Sequence, residues 1–124
     1  MEDYKATVAE SSKQLTNKEK VMLKDTTNAI QLDSIPADES LVIQPDYFGV
    51  IKVHNEHSQD KDYVKYVVVD KSGDKYVTGS ESFWRAFTSI VEEMEDSDED
   101  YAVKVYKMES KKYSGKYFIT CAIV

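Results

Sequence analysis

A single cysteine, two histidines and the lack of any long apolar run set the first limits on this chain of 124 residues. Cys121 has no partner with which to close an internal disulfide. It sits in the apolar run 118–124, where a small buried hydrophobe is expected. A nucleophilic role would need an activating base, and His54 and His57 stand far away in sequence. No apolar stretch approaches the roughly 18 residues that a membrane helix needs. The segment Met1-Glu2-Asp3-Tyr4-Lys5 opens on charge and leads into no apolar signal core. A cytoplasmic protein with no membrane partner is expected. Catalytic patterns are missing as well. Lys71-Ser72-Gly73-Asp74 lacks the spacing and the following helix of a phosphate loop. His54-Asn55-Glu56-His57 comes nearest to a metal pair, but it lies where a strand runs into a loop, with no second ligand pair in view. Solvated loop residues are the expectation there. No catalytic residue, cofactor or metal is assigned, and the chain reads as a non-enzyme.

What is present is a length that fits one domain and can bury a core without staples. The net charge of −7 is unevenly spread. Residues 1–91 carry fifteen acidic and eleven basic groups, and residues 92–100 carry seven acids. Residues 101–124 carry Lys104, Lys107, Lys111, Lys112 and Lys116 against Glu109 alone. The acidic balance therefore belongs to one short run and the last fifth of the chain is basic, so global charge is a poor guide to partners.

Along the chain, residues 1–17 are polar without a sustained period and are expected to form a frayed N-terminal arm, with a short helix over 7–15 as the alternative. Residues 18–124 are expected to form a single domain. Val21-Met22-Leu23 and Ala29-Ile30-Gln31-Leu32, separated by Asp25-Thr26-Thr27-Asn28, read as a hairpin or one long bent first strand. The next strand, Leu41-Val42-Ile43, resumes after Pro45 over 47–53, with an edge or bulge at the proline and a bend at Gly49. Residues 63–69 are the strongest strand, β-branched and aromatic. They lead through a turn at 70–75, where Gly73 meets the need for positive φ, into a return strand at 76–78.

Residues 80–94 are the one predicted helix. Ser80 suits an N-cap, and Phe83, Phe87, Ile90 and Met94 fall on a single stripe at helical spacing. The acidic run follows, with fraying expected near Glu93–Glu95 because acids oppose the dipole at a helix C-terminus. Residues 101–108 alternate cleanly: Val103 and Val105 point one way, Lys104, Tyr106 and Met108 the other. A hairpin loop at 111–116 and a closing strand at 117–124 complete the pattern. The order β-β-β-α-β-β, with an extra hairpin, is that of a five-stranded OB-type barrel, mostly β with one helix. An α+β sandwich fits the same string.

Nine tyrosines are present, and many adjoin lysine: Lys65-Tyr66, Lys75-Tyr76, Tyr106-Lys107, Lys112-Tyr113 and Lys116-Tyr117. Single-stranded nucleic acid uses this pairing, since bases stack on aromatic faces while ammonium groups track phosphates. Tyrosine and lysine are also ordinary strand residues, one for packing and the other for solubility. The concentration in the last hairpin singles out Tyr106, Lys107, Lys111, Lys112 and Tyr113, with Lys104 and Lys116 beside them. Tyr47, Lys52, Lys65, Tyr66 and Tyr76 complete the candidate set. The acidic run 92–100 reads as a solvated helix end, as a patch that repels nucleic acid from one side, or as a docking patch for a basic partner such as a replication protein. In the competing view the whole chain is an acidic protein-binding module, or a phage-encoded inhibitor that mimics DNA.

The Val-rich strand runs into an Asp-x-Ser-Gly-Asp-x-Tyr turn, Asp70 to Tyr76. A Ser-started helix follows, then Tyr101-Ala102-Val103-Lys104-Val105 and Ser114-Gly115-Lys116-Tyr117-Phe118. With the short first strand pair from Val21 and with Tyr47-Phe48, this pattern over roughly residues 20–124 resembles the small single-stranded-DNA-binding proteins of protein-primed podoviruses that infect Gram-positive bacteria. The resemblance implies a protein that coats displaced single strands during replication in the host cytoplasm, binding through aromatic and basic residues. By position it points to Tyr47, Tyr66, Tyr76 and the final hairpin. The chain departs from the pattern in its longer polar N-terminal arm and denser acidic run.

Overall fold

The computed structural model describes every residue except 1–3, 13, 96, 98 and 114. Two of the seven clustered acids, and the Ser of the Ser-Gly-Lys turn, thus lie outside the described residues. Among those described, the elements in chain order are β1 (Tyr4–Ser11), α1 (Asn17–Lys24), β2 (Ile30–Gln31), a 3-10 turn (Leu32–Ser34) and β3 (Ser40–Ile43). Then come β4 (Pro45–Asn55), β5 (Asp62–Asp70), β6 (Lys75–Thr78), α2 (Glu81–Met94), β7 (Val103–Glu109) and β8 (Tyr117–Ile123). The strands form two open sheets, one ordered β1-β4-β5-β6-β2 and the other β3-β7-β8. The fold is β-rich α+β. The chain divides into two compact units, Met1–Ile30 with Asp46–Gly79, and Gln31–Pro45 with Ser80–Val124.

Three expectations for the first half are corrected. The polar arm is in large part strand β1, paired antiparallel with β4 from Tyr4↔Asn55 to Ser11↔Gly49. Its register slips at Ala9, between Val8↔Ile51 and Glu10↔Val50. That bulge breaks the alternation by which the sequence would have announced a strand. The apolar triplet Val21-Met22-Leu23 belongs to helix α1. Thr16 Oγ1 accepts the Glu19 N–H at 3.1 Å and Glu19 Oε1 accepts the Thr16 N–H at 3.0 Å, a reciprocal cap that satisfies two otherwise orphaned donors. Only Leu23 of the triplet is buried, while Val21 is 62% exposed. Finally, 41–43 and 47–53 are two strands in different sheets, separated at Gln44, and Pro45 opens the second. A proline at a strand's first residue forfeits no ladder bond that its neighbours need.

The first unit builds its core on one face of the five-stranded sheet, where Leu15 and Leu23 meet Tyr47, Ile51, Val53, Val67, Val69 and Val77. Gly49 is required by close approach. A Cβ there would stand 2.6 Å from the Glu10 carbonyl oxygen and 2.8 Å from Leu23 Cδ2. Lys75 Nζ donates to the Met22 and Asp25 carbonyl oxygens at the C-terminal end of α1, where cations are favoured. The 70–74 turn is as expected. Gly73 has φ +98°, and Asp70 Oδ1 accepts the Ser72 N–H at 2.8 Å.

In the second unit, Ser80 caps α2 by accepting the Phe83 N–H at 3.2 Å. Helix α2 packs along β8, and Phe83 and Phe87 are fully buried with rings stacked at 5.5 Å between centroids. Ile90 and Met94 are only half-buried, so the stripe tapers toward the acidic end. No described helix is long and apolar enough to cross a membrane.

Two substitutions test this packing. Phe87→Ala should lower stability by about 3–5 kcal/mol, the cost of a buried aromatic left as a cavity, read by chemical denaturation. Gly49→Ala should cost about 1–3 kcal/mol by overpacking against backbone that cannot yield. A melting temperature unchanged in either variant would contradict the assigned core.

Candidate nucleic-acid interface

A strand sends successive side chains to opposite faces, and in the three-stranded sheet the cross-strand register shows which residues share one. Val42 lies opposite Lys104, which lies opposite Ala122; Ser40, Tyr106 and Thr120 form the next row; Met108 pairs with Phe118. On the other face Ile43 meets Val103, and Leu41, Val105 and Cys121 follow. Val103, Val105, Ile119 and Cys121 are buried, and Ser82 Oγ of α2 donates to the Ile119 carbonyl at 2.8 Å. Helix α2 therefore covers the second face, and the first is open. It exposes Val42 (54%), Met108 (42%) and Phe118 (38%), with Lys104 exposed and Tyr106 half-buried. Lys104 Nζ lies 6.0 Å from the Tyr106 ring centroid.

The β7–β8 loop continues this surface. Ser110 N–H donates to the Lys116 carbonyl at 2.8 Å, Ser110 Oγ accepts from the Tyr113 N–H at 3.2 Å, and Gly115 takes φ +82°. These bonds hold Lys111, Lys112 and Lys116 in solvent with Tyr113, which is 59% exposed. Lys112 Nζ stands 5.6 Å from the Tyr113 centroid. Glu109, the one acid among residues 101–124, has its carboxylate engaged by the Gly115 N–H at 3.4 Å.

The sequence candidates divide accordingly. Tyr106, Lys104, Lys111, Lys112, Tyr113 and Lys116 lie on the open face or its loop. Lys107 does not: it points to the helix-covered side, and its Nζ donates to the Asp33 carbonyl at 2.8 Å. Tyr47, Tyr66 and Tyr76 are buried in the first unit, so their rings offer no stacking surface. Burial, aided by Asp74 and Asp70, raises the Tyr76 phenol above its usual range. Lys65 Nζ donates to Thr26 Oγ1 at 3.2 Å, while Lys52 is exposed. The physical reason for the misplaced pairs is simple. Neighbours in a strand project oppositely, so Lys65-Tyr66 and Tyr106-Lys107 cannot face one ligand, whereas the i, i+2 pair Lys104 and Tyr106 can. Phe118, Met108 and Val42 were not singled out by sequence. The alternation of Phe118, Thr120 and Ala122 against Ile119 and Cys121 was the available signal, hidden because both faces of that run are apolar.

Comparisons with protein-family models, with curated proteins and with solved structures find no match to this chain.

Cys121 gives a check on which face is closed. Burial pushes its thiol up to about 11, so at pH 8 it is protonated and shielded. A thiol-reactive probe should leave folded protein unmodified at that pH and label it promptly after denaturation. Prompt labelling of the folded chain would open the face assigned to α2.

Proposed function

We propose that this chain binds single-stranded nucleic acid, DNA in the first instance, without sequence preference, on the open face of β3-β7-β8. The observation that supports the reading best is the juxtaposition on one sheet face of Tyr106, Phe118 and Met108 with Lys104. Beside that face lies a loop presenting Tyr113 among three lysines. Lys104, Lys111, Lys112 and Lys116 make no ion pair among the described residues, so all are free to meet phosphates. Bases stacking on the rings would contribute about 1–3 kcal/mol each, and ammonium groups at phosphates would add a salt-dependent term. A role in coating displaced strands during phage replication, as the resemblance implies, belongs to the same proposal. It does not lean on an OB-type barrel, because an open sheet face carries it equally well.

Titrating oligo-dT into the protein at low and moderate salt tests this directly. Tyrosine fluorescence should be quenched, with affinity falling steeply as salt rises. Tyr106→Ala and Phe118→Ala should each weaken binding by about fivefold to 150-fold, corresponding to 1–3 kcal/mol of stacking, with little change in melting temperature. Lys111→Ala with Lys112→Ala should flatten the salt dependence by roughly 0.7 for each phosphate no longer neutralised. No binding at low salt would overturn the proposal and favour the acidic, protein-binding alternative. Variants that lose stability but keep affinity would make these rings structural.

A further inference from the structure

The first unit has a recess of about 350 Å³ on the face of β1-β4-β5 opposite its core. Its floor follows from register: Lys5 pairs with His54 and Thr7 with Lys52, so all four side chains share one face. Asp62, Tyr63 and Val64 at the start of β5 line the recess with them. Lys5 and Lys52 make no ion pair or side-chain hydrogen bond among the described residues. Two unpaired ammonium groups beside one concavity, with Thr7 next to Lys52 across the strands and to Lys5 along β1, form an arrangement that attracts an oxyanion. The volume leaves room for a phosphate and the group esterified to it.

We propose that this recess is a phosphate-binding site formed by Lys5, Thr7 and Lys52, and that His54 sets its charge.

His54 closes the recess at the base of the β4–β5 loop. Its Nδ1 is 2.7 Å from Asp62 Oδ1 and its Nε2 is 2.7 Å from Glu56 Oε1. Both ring nitrogens can donate only in the imidazolium form. These two hydrogen bonds, Asp62 first, raise the His54 pKa above its usual 6.5 and favour the charged ring. Glu56 also takes Lys61 Nζ at 3.2 Å, so the cluster of His54, Asp62, Glu56 and Lys61 is balanced while the ring is protonated. Lys5 and Lys52 are then the uncompensated charges facing the recess, since the Tyr63 ring packs against the core on the other face of the sheet. When the ring loses its proton, one carboxylate loses its donor and the cluster becomes net negative. Asp62, which lines the recess, then competes for the lysines. Stability follows the same sign: a raised pKa stabilises below the unfolded value, and that contribution is lost as pH rises through the folded value.

The site shares no residue with the aromatic face of β3-β7-β8, and the experiment separates the two. Amide chemical shifts in ¹⁵N-labelled full-length protein are followed while inorganic phosphate replaces chloride at constant ionic strength, at pH 6 and pH 8.5. Saturable shifts at Thr7, Lys52 and His54 are expected at pH 6, weakened at least about fivefold at pH 8.5. Phosphate itself gains charge over that interval, so weaker binding reports on the protein. Lys5→Ala with Lys52→Ala should abolish the shifts. His54→Gln, which keeps a donor without the charge, should bind weakly at both pH values. A second titration with oligo-dT identifies the source. Movement of the same amides assigns the phosphate to a nucleic-acid backbone, and movement of the β7–β8 amides alone assigns it to a free or small-molecule phosphate. Absence of local shifts at pH 6, or shifts that persist in the double lysine variant, would overturn the site. An affinity in His54→Gln that matches the parent at both pH values would overturn the role of His54.

Discussion

A sheet three strands wide has two faces, and a single helix can cover only one of them. That constraint governs the second unit. Phe83 and Phe87 project from α2 with one turn between them and are removed entirely from solvent. Burying each aromatic contributes roughly 1.5–3 kcal/mol. Committing α2 to β8 fixes which parity of residues in β7 and β8 is interior. Val103, Val105, Ile119 and Cys121 are taken, and Tyr106, Met108 and Phe118 are left outside as a consequence. The exposed aromatic face results from where the helix is spent. Ser80 secures the start of that helix: it stands one residue before Glu81 and its side chain accepts the Phe83 N–H.

The electrostatics follow the same local logic. An overall charge of −7 would discourage a polyanion if it were spread evenly. It is concentrated in residues 92–100, and α2 ends at Met94, inside that run, with no basic residue in its last turn. Interactions among exposed charges fade over about 10 Å in 0.1 M salt, so the charges close to a surface matter more than the total. Around the β7–β8 loop those charges are lysines, and the nearest acid in sequence, Glu109, is occupied by a backbone amide.

How far all this could be read in advance depended on whether the signal was local. Strand β5, the turn at Gly73, helix α2 with its Ser80 cap, and the β7–β8 hairpin each carry their own pattern within a short contiguous stretch. Helix α1 carried one too, the Thr16-x-x-Glu19 cap, but the apolar triplet beyond it outweighed that cue, although only Leu23 is interior. Strand β1 had no clean signal, being polar and interrupted at Ala9. Strand partition is non-local. Nothing within Leu41–Ile43 reveals that it will pair with β7, some sixty residues on, rather than continue with the strand beyond Pro45. The candidate face was half legible for the same reason. The alternation of β7 placed Lys104 and Tyr106 correctly, whereas Phe118 becomes visible only once its pairing with Met108 is known.

The tyrosines show why composition alone could not locate the surface. Tyr47, Tyr66 and Tyr76 fill interior volume, where a large ring contributes packing. Tyr106 and Tyr113 reach solvent, each with an ammonium group near its ring. The same side chain serves two purposes, and burial decides between them. A face made of Tyr106, Phe118, Met108 and Val42 also limits what can be discriminated. Reading bases by identity needs fixed donors and acceptors aimed at their edges, and this face offers flat apolar area with cations beside it. Every base has a π-face, so under the proposed function such a surface would accept all four on nearly equal terms, and its selectivity would be for unpaired strands, whose bases are free to leave their stack.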